Sequence, residues 1–178
     1  MPNTPNSTAE AQFLQAYDDY ADAIFRHCAL RLYDRELGRD VMQETFLRAW
    51  ESMAKGTEVT QIRAFLYKIA NNLIIDTVRR NKLRTVDSLE ELHEEKGFDI
   101  PDREPGPARV TEGKFALSAV EKLEEPYRTA VVMRYVDGLP PQEIADLLGV
   151  TANVVSVRIH RGLEQLTEIL DPTTATQS

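Results

Sequence analysis

Residues 138–166, GLPPQEIADLLGVTANVVSVRIHRGLEQL, decide the fold, because they read as two helices joined by a tight corner. Pro140 and Pro141 lack the backbone donor that a helix interior needs, so they open a helix whose Ile144, Leu147 and Leu148 share one face. Gly149 stops that helix. Thr151 caps the next, along which Val155, Ile159, Leu163 and Leu166 recur at helical spacing while Gly162 admits a close neighbour. The spacing predicts a helix-turn-helix. Its second helix turns Asn153, Ser156, Val157, His160 and Arg161 away from the apolar seam. A short polar and basic strip of this kind fits a DNA major groove, where base edges offer donors, acceptors and thymine methyls. On this stretch alone, a helical hairpin with a solvated face fits as well.

Composition narrows the classes. At 178 residues, 42% of them hydrophobic, the chain suits one domain or two small ones with a core in each. A formal charge of -8 argues against indiscriminate coating of nucleic acid, so any DNA contact must be local. Cys28 is alone in an apolar helical context, which predicts a buried thiol and excludes a disulfide within the chain. The opening MPNTPNSTAEA has no basic region followed by an apolar run, and no later stretch approaches spanning length. The expectation is a cytoplasmic protein with no membrane insertion.

Residues 1–7 read as a polar tail. Over 8–33 an amphipathic helix turns Phe13, Tyr17, Ala21, Ile24, Cys28 and Leu32 inward and Asp18, Asp19 and Asp22 to solvent. Those aspartates read as a solvated face, since no histidine or second acidic cluster stands at ligand spacing. A break at 34–38 precedes a second helix, with Val41, Thr45, Phe46, Ala49, Trp50 and Met53 toward the core and Asp40, Gln43, Glu44, Leu47, Arg48 and Glu51 away from it. A leucine on the outer face marks a docking surface. After a loop at 54–60, a third helix over 61–83 buries Phe65, Leu66, Ile69, Ala70, Leu73 and Ile74. Its other side gathers Arg63, Lys68, Arg79, Arg80, Lys82 and Arg84 around a single acid, Asp76, with Tyr67, Asn71 and Asn72 interleaved. Cations for phosphates, with an aromatic ring and amides for bases, make a platform for unpaired nucleic acid. A plain solvated basic face is the alternative.

Between 86 and 110 acids dominate and Pro101, Pro105 and Pro107 break regular structure, which predicts a flexible acidic linker. Glu90 and His93 form one Glu-x-x-His pair, but di-iron chemistry needs a second pair and further glutamates. From about 111, Phe115, Leu117, Val120 and Leu123 give one helix. Tyr127, Ala130, Val131, Met133, Arg134 and Tyr135 give another, opened by Pro126 and ended by Asp137 and Gly138. Asp171 and Pro172 end the last helix, and the remaining TTATQS reads as a frayed tail. The predicted fold is all-α: two small helical domains, 8–85 and 111–170, joined by the linker at 86–110, the second a four-helix domain with the helix-turn-helix.

The order DVMQETFLRAW, IRAFLYKIANNLIIDTVRR, an acidic linker, LEEPYRTAVVMRYVDGLPPQEIADLLGV and VVSVRIHRGLEQL resembles the extracytoplasmic-function (ECF) sigma factors of bacterial RNA polymerase, from Phe13 to Leu166. The resemblance implies a promoter-melting domain and a domain for the upstream promoter element, both docked on core RNA polymerase. By it, Asp40, Gln43, Glu44, Leu47, Arg48 and Trp50 bind core polymerase. The loop with Lys55 and the helix with Arg63, Tyr67, Lys68, Asn71, Asn72, Arg79 and Arg80 hold the downstream element and a flipped base, while Asp76 braces an arginine. Asn153, Ser156, Val157, Arg158, His160 and Arg161 enter the groove of the upstream element. The chain departs from the family pattern at Val154 and Ser156, where a small hydroxyl residue and a cation are common, and at Gly38 and Arg39, where alanine and an acid are. A promoter DNA partner and a monomeric free state also follow from the resemblance, which allows an anti-sigma factor without requiring one.

Nothing in the sequence supports catalysis, a cofactor or a metal. There is no phosphate-cradling glycine loop, and His27, His93 and His160 are scattered. The reading from a different class is a free-standing helix-turn-helix regulator, which would bind duplex DNA as a dimer on paired half-sites.

Overall fold

The structure, a computed structural model, describes residues 7–87 and 116–171, with side chains described at 7–84 and 116–171. The Glu90–His93 pair, most of the acidic segment and Phe115 lie outside the described residues. The chain divides into two compact units between Glu94 and Glu95. Among the described residues regular structure is helical, no helix is long and apolar enough to cross a membrane, and no group of three or more His, Cys, Asp or Glu could hold a metal ion.

The first unit holds α1 (Ser7–Leu32), α2 (Arg35–Ala54) and α3 (Ile62–Asp87). α1 packs against both of the others, because its apolar side is wide enough to be shared. Ile24, Cys28, Ala49, Leu66, Ala70 and Ile74 form the centre of this core, and the Cys28 thiol is fully buried there. At one end rings take over: Phe13 lies 5.2 Å from Trp50 and 6.2 Å from Phe46, and Tyr17 stands edge-on to Phe46 at 4.9 Å. Tyr17, expected inward, is 43% exposed, since it sits at the border of this cluster.

The break expected at 34–38 is shorter. Tyr33 takes a left-handed conformation, and the Asp34 carboxylate accepts from the Leu37 amide at 3.0 Å. That cap satisfies an orphan donor at once, so the helix restarts at Arg35 and includes Gly38. Gly38 is buried on α1, and a Cβ there would stand 2.6 Å from the Ala29 Cα and 2.8 Å from its Cβ. The residue read as a departure from the family pattern is thus the place where two helix backbones nearly touch. α3 runs to Asp87, past its expected end at Leu83 and into the segment read as linker.

In the second unit, residues 116–121 are helical (α4). α5 (Tyr127–Val131) passes into a π-helical turn, Val132–Val136, followed by α6 (Pro141–Leu148) and α7 (Ala152–Leu170). The helix expected to be regular through Tyr135 is not: the Asp137 amide bonds back to the Val132 carbonyl, five residues away, at 3.1 Å. The wider turn resets the register, leaving Met133 buried while Tyr135 and Val136 face solvent. The corner between α6 and α7 follows the sequence reading. Pro141 stands at the first helical position, Gly149 is left-handed at φ 66°, and the Thr151 hydroxyl accepts from the Val154 amide at 3.3 Å. Val155 and Ile159 seat α7 on a core of Ala130, Val131, Met133, Leu139 and Ile144. Leu163, assigned to the same seam, is exposed; the close contact one residue earlier belongs to Gly162, where a Cβ would lie 2.5 Å from the Val131 Cγ2.

Two stability outcomes follow. At a solvent-facing helix position Gly→Ala gains up to about 1 kcal/mol. At Gly38 the added methyl meets main chain, so Gly38→Ala should cost about 1–2 kcal/mol net and lower the thermal midpoint; a raised midpoint would refute the contact. On α4, burial pushes the Glu121 carboxyl above the usual range, with the Arg128 charge opposing more weakly. A raised folded pKa means the folded chain binds the proton more tightly than the unfolded one, so this group makes stability fall as pH rises through the carboxylate range. Glu121→Gln should therefore raise the thermal midpoint at pH 7 and leave it nearly unchanged below pH 4.

Candidate nucleic-acid interface

On α3, Lys68, Asn72, Asp76, Arg79, Arg80, Lys82 and Arg84 are exposed and Arg63 is half-buried, so the basic stripe is real surface. Two members of the expected platform are not. Tyr67 is 2% exposed and Asn71 1%. With Ile74 they form a row at helical spacing turned into the unit. The Tyr67 ring meets His27 edge-on at 5.1 Å, and the Asn71 side-chain oxygen accepts from Arg31 Nη1 at 2.6 Å. A buried amide is tolerable because a cation from α1 satisfies it. Tyr67 and Asn71 are thus interior groups that hold α3 to α1, and in this conformation they offer no ring or amide to a base. Arg31, unremarked in the sequence, is the partner that allows this.

Arg80 Nε reaches Asp76 at 3.4 Å, through the main-chain oxygen and not the carboxylate. The cations are also interleaved with exposed apolar side chains, Ile75, Val78 and Leu83, which the sequence reading passed over. Ile75 lies one position beyond the buried Ile74, Val78 one beyond the buried Thr77, and Leu83 is the last residue of the expected helix. Lys55 is exposed at the end of α2, in a cleft of about 560 Å³ lined by Thr8 and Gln12 of α1 and by the loop 55–60. Gln12 Nε2 donates to the Val59 carbonyl at 2.8 Å, tying that loop to α1.

The outer face of α2 is as expected for most of its residues. Asp40, Gln43, Leu47 and Arg48 are exposed, Leu47 by 51%, and Glu44 is half-buried. Arg48 Nε pairs with Glu44 Oε1 at 2.8 Å, an exposed pair worth little to stability. Trp50 is half-buried against Phe13 and shows only part of its ring.

On α7, Asn153, Ser156, Val157, His160 and Arg161 are exposed, whereas Arg158 is half-buried at the side of the strip. The Ser156 hydroxyl donates to the Ala152 carbonyl at 3.0 Å, which leaves its lone pairs to accept. His160 Nε2 lies 3.2 Å from Glu164 Oε1. An open groove of about 740 Å³ beside this face is lined by Tyr127, Val157 and Arg161 and, farther along, by Glu164, Gln165 and Glu168. The two acids make the C-terminal half of the groove hostile to phosphate. Any DNA must meet the first three turns, at the end where the helix dipole also favours an anion.

Known proteins resemble this chain in sequence and fold. Residues 16–84 match Sigma-70 region 2, and residues 116–166 match Sigma-70, region 4. The chain is 30% identical over 163 residues to ECF RNA polymerase sigma factor SigL of Mycobacterium tuberculosis, covering 90% of each. It is 28% identical over 173 residues to ECF RNA polymerase sigma factor SigE of Mycolicibacterium smegmatis, covering 93% of this chain and 65% of that one. The sigma factor RpoE of Bartonella quintana, solved with the anti-sigma factor NepR, superposes with a TM-score of 0.75 at 18% identity, covering 89% of this chain and 96% of that one, a likeness of fold. The chain therefore belongs to the sigma-70 family, as one of its ECF RNA polymerase sigma factors, alternative sigma factors that direct transcription.

Proposed function

We propose that this chain binds core RNA polymerase through the outer face of α2 and directs it to a promoter held in two places. The observation that carries the proposal is the partition of surface in a chain of net charge -8: cations are concentrated along α3 and at the first turns of α7, while α2 presents a leucine among mixed charges. In this reading Lys68, Arg79 and Arg80 hold phosphates of the downstream element, with Arg63 at the start of the helix. Asn72 and the loop with Lys55 receive a base turned out of the duplex. Extrusion costs a few kcal/mol, offset by pocket contacts and by core binding, and Tyr67 does not supply the stacking. Asn153, Ser156, Val157, His160 and Arg161 read the upstream element, with Arg158 at the border of the helix.

The chain itself carries out no catalysis and needs no cofactor; polymerisation belongs to the core enzyme. It acts in the cytoplasm, is a monomer when free, and is held by an anti-sigma factor as RpoE is by NepR. The regulator reading, which needs a dimer on duplex DNA without polymerase, gains nothing from any of these surfaces.

Run-off transcription with purified core polymerase on a promoter library tests the proposal; no promoter-dependent initiation on any bacterial core would end it. Leu47→Asp places a charge at the centre of the docking face, so it should weaken core binding by about thirtyfold, the loss of about 2 kcal/mol typical of a hot spot, and leave promoter preference unchanged. Normal core binding by that variant would remove the face assigned to α2. Arg161→Ala should reduce use of the upstream element about tenfold or more, as a lost base contact of about 1–3 kcal/mol does, while core affinity stays the same. Equal loss on promoters with and without an upstream element would show that Arg161 does not read it.

A further inference from the structure

Beneath the exposed stripe of α3, three side chains stand in a row. Arg63 Cζ lies 5.9 Å over the centre of the Tyr67 ring, and that ring also meets His27 of α1, edge-on at 5.1 Å with the planes 83° apart. Arg63 and Tyr67 are four residues apart, hence on one face of the helix. Tyr67 is 2% exposed and His27 is fully buried, whereas Arg63 is half-buried at the rim. The series thus runs from the interior of the unit to the surface where DNA is proposed to lie.

We infer that Tyr67, held by His27, is a positioning residue for Arg63, fixing the direction in which that guanidinium meets the promoter backbone. The inference rests on the reading that Arg63 contacts promoter DNA. A guanidinium held over a ring face has its position narrowed before a phosphate, which takes its N–H groups in pairs, arrives. An arginine loose in solvent must give up its rotamer freedom on binding, whereas one already held over a ring has given up part of it. α1, which touches no DNA in this reading, thereby determines where a cation of α3 stands.

The test uses holoenzyme reconstituted with core polymerase and a fork-junction DNA carrying a promoter selected by that holoenzyme, titrated at several salt concentrations. Arg63→Ala should weaken binding and reduce the salt slope by about 0.7–0.9, one phosphate contact. Tyr67→Leu, which keeps an apolar side chain and removes the ring face, should weaken binding about two- to fivefold, and Tyr67→Phe should restore it. In the Arg63→Ala background, Tyr67→Leu should have no further effect. An equal loss in that background, no loss from Tyr67→Leu alone, or failure of Tyr67→Phe to rescue would each overturn the positioning role while leaving the DNA role of Arg63 standing. An unchanged affinity and slope for Arg63→Ala would instead remove that DNA role, and the inference with it. Arg63→Lys leaves the interior untouched and needs no change at Tyr67: it should recover the salt slope but not the full affinity, and full recovery of both would overturn the inference.

Discussion

Two helices approach most closely where one of them has no side chain, and each unit has such a place. In the first, Gly38 of α2 lies on Ala29 of α1; in the second, Gly162 of α7 lies on Val131 of α5. The consequence is positional. With α2 drawn close at its start, its far end meets α1 through the larger rings Phe13, Phe46 and Trp50, and the residues opposite that seam, Gln43 and Leu47 among them, are turned outward together. With α7 seated on the bundle through Val155, Ile159 and Gly162, the opposite side of its first three turns faces solvent and carries Asn153, Val157 and Arg161. In both cases the surface proposed to bind a partner is set by a contact on the other side of the helix.

The sequence made the punctuation legible because the chemistry of helix ends is local. Pro140 and Pro141, Gly149, and the Thr151 hydroxyl with the Val154 amide need nothing from the rest of the chain, and each performs the role its residue type dictates. The apolar stripes were legible for a similar reason, since burial of Ile24, Leu66, Ile144 and Val155 follows from their period alone. What failed was the assignment of polar and amphipathic residues at the margin of a buried face. Asn71 is inside because Arg31, forty positions earlier, offers a donor, and Tyr67 is inside because His27 offers an edge; neither partner is visible from α3. Tyr17 and Leu163 err in the opposite direction, for want of a neighbour to cover them. The π-turn at Val132–Val136 left no mark in the apolar period ahead of it, so the sequence predicts a regular helix through Tyr135 where the structure has a wider turn.

The same margin explains how the candidate site was partly right. Charge is reliably outside, so Lys68, Arg79, Arg80, Lys82 and Arg84 were assigned to surface by residue type, and that is where they are. An aromatic ring or an amide has no such preference, and a platform for bases drawn from Tyr67 and Asn71 had no such guarantee. Their burial changes the chemistry proposed for α3 from stacking and cations to cations alone, with Asn72 as the exposed amide.

Electrostatics then limits what either unit does alone. The cations of α3 are adjacent on one helix, but the chain as a whole is anionic, and on α7 the acids Glu164 and Glu168 follow within two turns of Arg161. At physiological ionic strength the interaction between exposed charges decays over about 8 Å, so a DNA backbone feels the local patch, and little of the rest of the chain's charge, only when it is already close. Long-range attraction is therefore poor and contact attraction is good. A protein so arranged gains little from searching DNA by itself and much from being delivered to it. Two weak contacts joined through one polymerase act at the effective concentration their tether sets, which raises joint occupancy by orders of magnitude over either contact alone. An acidic chain with two small cationic faces is thus suited to a subunit whose specificity operates only after it has docked.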